Sequence, residues 1–291
     1  MPTIAHIVNL FQPDEASDLK LAQEVTITSM IRAKNFINNP YSIQLLSAQT
    51  ETDISVVPKE FKATKYLARD VTDVQPFSKQ LALPLITDIL DRVFSESEAE
   101  YLVFTNVDIG LQPDFYQRIS AFINDGHDAF IINRRRIPEK FSSVNQLDEM
   151  LAEKGKKHPG FDCFVFHRDL YPKFRLAKIC IGVPFIGITL AQNLFCFAKN
   201  PKVFTDEHLT FHIGMELFKG RAAKEYFNYN RIQFWESMTE IWDVLDTRKW
   251  PGGKMWFPFR LIYWGIHPSL PIRLALKLEP RRWFGAKERT T

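Results

Sequence analysis

The sequence predicts an α/β fold, a mixed but mainly parallel sheet flanked by helices. Three observations predict it. Short apolar segments with strand character are followed, one after another, by segments with helical spacing. The strand-like runs end in Asn, Asp, Pro or Gly, the residues that turn a chain. The composition, 45% apolar and 24% charged over 291 residues, is that of a globular chain and excludes disordered, collagen-like and coiled-coil classes.

The elements follow in order. Ile4–Phe11 reads as a strand running into the turn at Pro13, and residues 18–37 as a helix with Ala22, Val25, Ser29, Ala33 and Phe36 at helical spacing. Tyr41–Ala48 is a second strand and Lys65–Ala68 a third. Leu81–Phe94 carries Leu85, Ile89 and Val93 on one helical stripe. Tyr101–Leu111 is the strongest strand, Pro113 opens a helix that stops at Asn124-Asp125-Gly126, and Asp128–Asn133 is a further strand. Val144–Glu153 is a short helix, and Phe161–Phe166 and Leu209–Ile213 are strands. Ile179–Ala198 is uncharged and about as long as a spanning helix needs to be. Its Gly182, Pro184 and Gly187 read instead as a loop feeding a buried helix. From about Tyr226 aromatics, prolines and basic residues mix without a clear period. The expected division is a catalytic domain over 1–225 and an aromatic, basic extension over 226–291.

The 25 phenylalanines predict a large aromatic core, and Cys163, Cys180 and Cys196 read as buried thiols rather than a disulfide framework. Residues 246–291 hold ten Lys/Arg against three Asp/Glu, whereas residues 1–245 hold 27 against 31. A general nucleic-acid binder is therefore not expected. No signal peptide is read at MPTIAHIVNLF, so the expected location is cytoplasmic.

Parallel sheets bind ligands beyond the carboxyl ends of their strands. On the strand running to Asp108, alternation puts Leu102, Phe104, Asn106 and Asp108 on one face, so two short oxygen-bearing side chains project together from its end. Such oxygens suit a hard divalent cation shared with a diphosphate. Equally, Asp108 would serve as a helix cap or turn former.

With an N-terminal strand–helix unit, Thr105-Asn106-Val107-Asp108 closing a strand, and Pro113-Asp114-Phe115-Tyr116 opening a helix, residues 1–215 resemble the nucleotide-sugar glycosyltransferases of the GT-A fold, family 2-like. Asn106 stands where the first residue of their Asp-x-Asp motif is found. The resemblance implies a nucleoside-diphosphate sugar as donor and Mn²⁺ or Mg²⁺ held by Asp108. Asn106 would contact sugar or ribose. It also implies a histidine ligand late in the domain. His212 is the candidate, because alternation turns it and Thr210 away from Leu209, Phe211 and Ile213, with His208 on the same face as fallback. Asp162, in His158-Pro-Gly-Phe-Asp162, fits the acceptor side, where a carboxylate would orient a hydroxyl or remove its proton. Arg134, at a strand's carboxyl end, suits a diphosphate or an anionic acceptor. Asn9, Phe11, Asp53, Arg69 and Asp88 are candidates for the nucleotide.

The expected function is transfer of a sugar to a hydroxyl of a glycan or lipid-linked glycan in polysaccharide biosynthesis. A sugar nucleotidyltransferase or an inactive nucleotide- or sugar-binding protein on the same fold are the alternatives. His167-Arg-Asp-Leu170 imitates a kinase catalytic loop, but Lys173 replaces its required Asn. His158, Cys163 and His167 lack zinc-site spacing. The tail from Trp250 to Arg282 interleaves aromatic and basic residues. It reads as a segment packed over the acceptor cleft, with peripheral contact to the inner membrane face through residues 250–285 as the alternative.

Overall fold

In the computed structural model, residues 2–14, 17–39, 42–213 and 221–284 are described. The first half runs β1 (Ile4–Asn9), α1 (Asp18–Phe36), β2 (Ile43–Ala48), β3 (Lys62–Ala63), α2 (Ile86–Glu96), β4 (Tyr101–Thr105), β5 (Gly110–Leu111) and α3 (Phe115–Asn124). Then come β6 (Ala129–Ile132), β7 (Arg135–Ile137), α4 (Leu147–Ala152), β8 (Lys156–Lys157), β9 (Cys163–His167), α5 (Ile186–Phe197), β10 (Pro201–Phe204) and β11 (Thr210–Ile213). Three helices close the chain: α6 (Arg221–Ile241), α7 (Phe257–Ile266) and α8 (Ile272–Phe284).

Seven strands form one sheet in the order β10-β6-β9-β4-β1-β2-β3. Every neighbour pair is parallel except those made by β9, which runs against both β4 and β6. β1 and β4 are buried on both faces because each face is covered. Residues of α1 and α3 pack with Ile4, Val8 and Val103 on one side. On the other, α2 and α5 pack with Ala5, Ile7, Leu102 and Phe104, in a core that continues through Phe234, Trp250, Trp264 and Leu278 of the C-terminal segment. All three cysteines are free and buried.

Four of the expected elements differ from the structure. Tyr101–Leu111 is not one strand: Asn106 accepts a turn hydrogen bond from Ile109 N–H (3.3 Å), and the chain leaves the large sheet to form β5 in another. Alternation along β4 therefore does not carry to Asp108. The third strand lies at Lys62–Ala63 rather than Lys65–Ala68. α2 begins at Ile86, five residues later than its apolar stripe suggests, because Leu83 precedes Pro84 and Leu85 is bridged to Cys180.

The fourth difference is α6, a helix of 21 residues where no period was read. Its inner stripe is Tyr226, Asn230, Phe234, Ser237 and Ile241, all buried. Two polar members hide the period. Asn230 Nδ2 donates to the carbonyls of Cys180 (2.9 Å) and Pro184 (3.0 Å), and Ser237 donates to Arg175 O, so both enter the core satisfied.

Candidate active site at the sheet's carboxyl edge

A second sheet, in the order β5-β11-β7-β8, lies where the ligand edge of the large sheet should be. Its strands are two to four residues long, and their ends are what matter. β5 pairs antiparallel with β11, matching Gly110 to Phe211, so Asp108 and His212 are carried to the same place. His212 Nε2 lies 2.9 Å from Asp108 Oδ2. This approach needs glycine at 110, since a Cβ there would stand 2.3 Å from the Phe211 ring. β7 pairs antiparallel with β8, and His158 N–H donates to Arg134 O (3.2 Å) just beyond the ladder.

β9 brings the remaining carboxylate. Its register matches Cys163 to Thr105 of β4 on one side and to Ile132 of β6 on the other. Running opposite to both, it enters the sheet at the edge where they leave it. Asp162, one residue before β9, is thereby set between Asn106 and Asn133-Arg134. Arg134 Nη1 is ion-paired to Asp162 Oδ1, and His158 Nδ1 lies 3.9 Å from Asp162 Oδ2. Gly160 N–H donates to that same Nδ1 (3.0 Å), which leaves Nε2 as the protonated nitrogen of neutral His158. Gly187, in the first turn of α5, meets the Phe161 carbonyl so closely that a Cβ would be 2.6 Å from it.

Asp108, His212, Asp162, Arg134 and His158 thus form one cluster, and its electrostatics are uneven. Burial alone would raise Asp108, but the hydrogen bond and charge of His212, with Arg134, more than offset it and hold this carboxyl below its ordinary value. Burial lifts Asp162 above its ordinary value, and Arg134 does not overcome that, partly because Asp108 repels a second negative charge. His158 is pushed down to about 4 by burial and by the cations Arg134, His212 and Arg136. Two carboxyls pushed in opposite directions are the arrangement from which acid–base roles are built.

Four buried atoms of the cluster have no hydrogen-bond partner: Asp108 Oδ1, Asp162 Oδ2, Arg134 Nε and His212 Nδ1. Such orphans are costly and need a reason. Among the described residues no group of three His, Cys, Asp or Glu side chains could hold a metal ion. Asp108 and His212 supply an oxygen and a nitrogen, which fits a divalent cation only if substrate oxygens complete its shell.

No family model matches the sequence, and no curated protein matches it. Among solved structures, the mannosyltransferase PcManGT from Pyrobaculum calidifontis, in complex with GDP-Man and Mn²⁺, aligns with a TM-score of 0.50. It is 13% identical, and the alignment covers 98% of this chain and 76% of that one. S. aureus TarS in complex with UDP-GlcNAc aligns at 0.47 with 12% identity, covering 97% and 87%. M. tuberculosis glucosyl-3-phosphoglycerate synthase aligns at 0.47 with 13% identity, covering 84% and 82%.

The chain has the GT-A fold. Within the GT-A sheet the other residues named from sequence are placed apart from the cluster's hydrogen bonds. Asn9 Nδ2 donates to Ala48 O (2.8 Å), tying the ends of β1 and β2. Phe11 exchanges two backbone hydrogen bonds with the Gln23 side chain. Asp53 accepts from Gln12 N–H (2.8 Å), joining the loops after β1 and β2. Arg69 and Asp88 form a two-bond ion pair (2.8 and 2.9 Å). Asn106 is partly buried at the end of β4. His208 is not on the strand face expected of it. It precedes β11 in a left-handed conformation (φ 50°), and burial holds its pKa below the ordinary histidine value.

Arg135 points opposite to Arg134, donating to Lys154 O and Gly155 O and pairing with Asp206. It anchors the small sheet. His158 was legible from sequence only as a non-zinc histidine; its signal was the four-residue spacing to Asp162 across Pro-Gly.

Proposed function

We propose that this chain transfers a sugar from a nucleoside-diphosphate sugar to a hydroxyl of a glycan or lipid-linked glycan. The observation that carries the reading is the convergence of Asp108, His212, Arg134 and Asp162, with unpartnered buried atoms, at the carboxyl edge of a GT-A sheet. Asp108 and His212 would hold Mn²⁺ or Mg²⁺. When bound, the cation supplies Lewis-acid neutralisation of the departing diphosphate.

The chain's own groups do the rest. Arg134 presents a planar donor set to the diphosphate, and its unpartnered Nε is available for a phosphate oxygen. Asn106 contacts sugar or ribose. Asp162 Oδ2 accepts the proton of the acceptor hydroxyl as its oxygen bonds to the anomeric carbon. The bond from that carbon to the diphosphate breaks, and the diphosphate leaves with the electron pair. The raised affinity of Asp162 for a proton suits this general-base role. As phosphate oxygens draw Arg134 away, Asp162 becomes a stronger base still, which couples donor binding to acceptor activation.

Thermal unfolding with nucleoside diphosphates and their sugar conjugates, with and without Mn²⁺, tests the donor, since a ligand of the folded state raises the melting temperature. Diphosphate release with Mn²⁺ tests turnover. Binding without release, unchanged in Asp108→Asn, would instead make this an inactive binding protein.

A further inference from the structure

α7 is inverted. Its inner side holds Arg260, 3% exposed, beside Trp264, whereas its outer side shows Trp256 at 70%, Phe259 at 58%, Ile262 at 62% and Ile266 at 77%. Arg260 is accommodated by a buried ion pair to Glu279 of α8, which also accepts from Trp283 Nε1 (2.9 Å). The α8 residues Trp283 and Phe284 continue the apolar exposure, and the Phe257 and Trp283 rings meet edge-on at 6.3 Å. A helix that hides its charge and displays Trp, Phe and Ile is built for surroundings less polar than water.

The charges around the face say which surroundings. Lys254, Arg273 and Lys277 are exposed beside it. Met255, itself 41% exposed, joins the face to a cleft of about 460 Å³ that is also lined by Lys199, Lys202 and Lys254. The segment from 246 onward carries ten basic and three acidic residues, so a second copy of the same face would be repelled and an anionic surface attracted. Among the described residues no helix is long and apolar enough to cross a membrane, so the face would lie on a bilayer rather than span it.

We infer that the outer face of α7 and the end of α8 dock on an anionic lipid bilayer, with Trp256, Phe259, Ile262, Ile266, Trp283 and Phe284 at headgroup depth and the lysines against lipid phosphates. Docking has a consequence for the site. His267, just past α7, packs on Phe161 with ring centroids 5.6 Å apart, and Phe161 adjoins Asp162. The carboxylate proposed for the acceptor is therefore one residue along the chain from a side chain that the end of α7 touches. On the transfer reading given above, and resting on it, this selects a lipid-linked acceptor over a free glycan.

Sedimentation of the full chain with phosphatidylglycerol-containing vesicles tests the inference. Wild type should pellet with these vesicles, be released as salt rises, stay in solution with phosphatidylcholine alone, and show tryptophan quenching by brominated acyl chains. Trp256→Ser, Phe259→Ser and Ile262→Ser together should lower partitioning by about tenfold or more, with melting temperature and donor binding unchanged. Lys254→Gln, Arg273→Gln and Lys277→Gln should weaken the salt dependence. Wild type left in solution with anionic vesicles, binding unaffected by the serine triple variant, absent quenching, or a dimer that buries this face would each overturn it. Donor binding measured without vesicles, as a rise in melting temperature with nucleoside-diphosphate sugars and Mn²⁺, separates the two readings: donor binding without docking sinks the membrane inference, and docking without donor binding sinks the transferase.

Discussion

Two buried polar groups sit within the same α/β layer and behave differently. Within the sheet, His6 is wholly buried in β1, yet both ring nitrogens are satisfied, Nδ1 by Tyr116 Oη and Nε2 by Thr105 Oγ1, each at 2.9 Å. At the sheet's edge, Asp108, His212, Asp162 and Arg134 are also largely withdrawn from water, but each keeps one polar atom without a partner. The first group is closed and serves the fold. The second is open, and open buried atoms are what a ligand with oxygens and charge completes. Burial alone distinguishes nothing here; satisfaction does.

That contrast can be broken by substitution. The largest effect is expected at Asp108→Asn, which keeps the shape and a hydrogen bond to His212 but removes the charge. Diphosphate release should fall by about two to three orders of magnitude, while the melting temperature stays nearly constant. A variant that loses stability and keeps turnover would move Asp108 into the closed class. His6→Leu should do the reverse, stranding two buried hydroxyls and costing about 2–4 kcal/mol in denaturant unfolding, with donor affinity of the folded protein unchanged. Gly110→Ala lies between the two: its Cβ would meet the Phe211 ring that sets the β5–β11 register. We expect a loss of about 1–3 kcal/mol together with about tenfold slower turnover as His212 moves from Asp108.

The smallest effect is on pH dependence. His6 is held near 3 and His158 near 4 by burial, against an ordinary value of 6.5. The unfolded chain therefore takes up protons that the folded chain refuses. Stability should be full above pH 6.5 and decline as pH falls toward 4, with a slope from His6 approaching about 1.4 kcal/mol per pH unit. Unfolding measured across that window should be flatter in His6→Leu and slightly flatter in His158→Gln, whose ring is partly in solvent.

Much of the fold was legible because most of its elements keep one period. The β1, α1, β4, α3 and β6 segments each place apolar residues at regular spacing, and each appears within a few residues of its expected bounds, except that β4 stops at Thr105. α6 was not legible because Asn230 and Ser237 occupy its buried stripe, satisfied by loop carbonyls that no local pattern reveals. The Asp108–His212 pair was legible in part: alternation along β11 turns His212 away from Phe211, although alternation along β4 was the wrong route to Asp108. What brings Arg134 and Asp162 together is the long-range antiparallel pairing of β9 with β6, which no local period reveals. The inverted face of α7 was visible in composition, but its orientation needed the Arg260–Glu279 pair.

The reversal of β9 has an evolutionary consequence. Since β6 leaves the sheet and β9 re-enters it on the same rim, everything from Arg136 to Gly160 is an excursion anchored at both ends beside the Arg134–Asp162 pair. Such an excursion is a cassette. Its exposed turn at 138–140 could be lengthened or exchanged while Phe141, Leu147 and Met150, which pack with Val25 of α1 and Phe211 of β11, hold the small sheet and the Asp108–His212 pair in register, so grafting is confined to that turn.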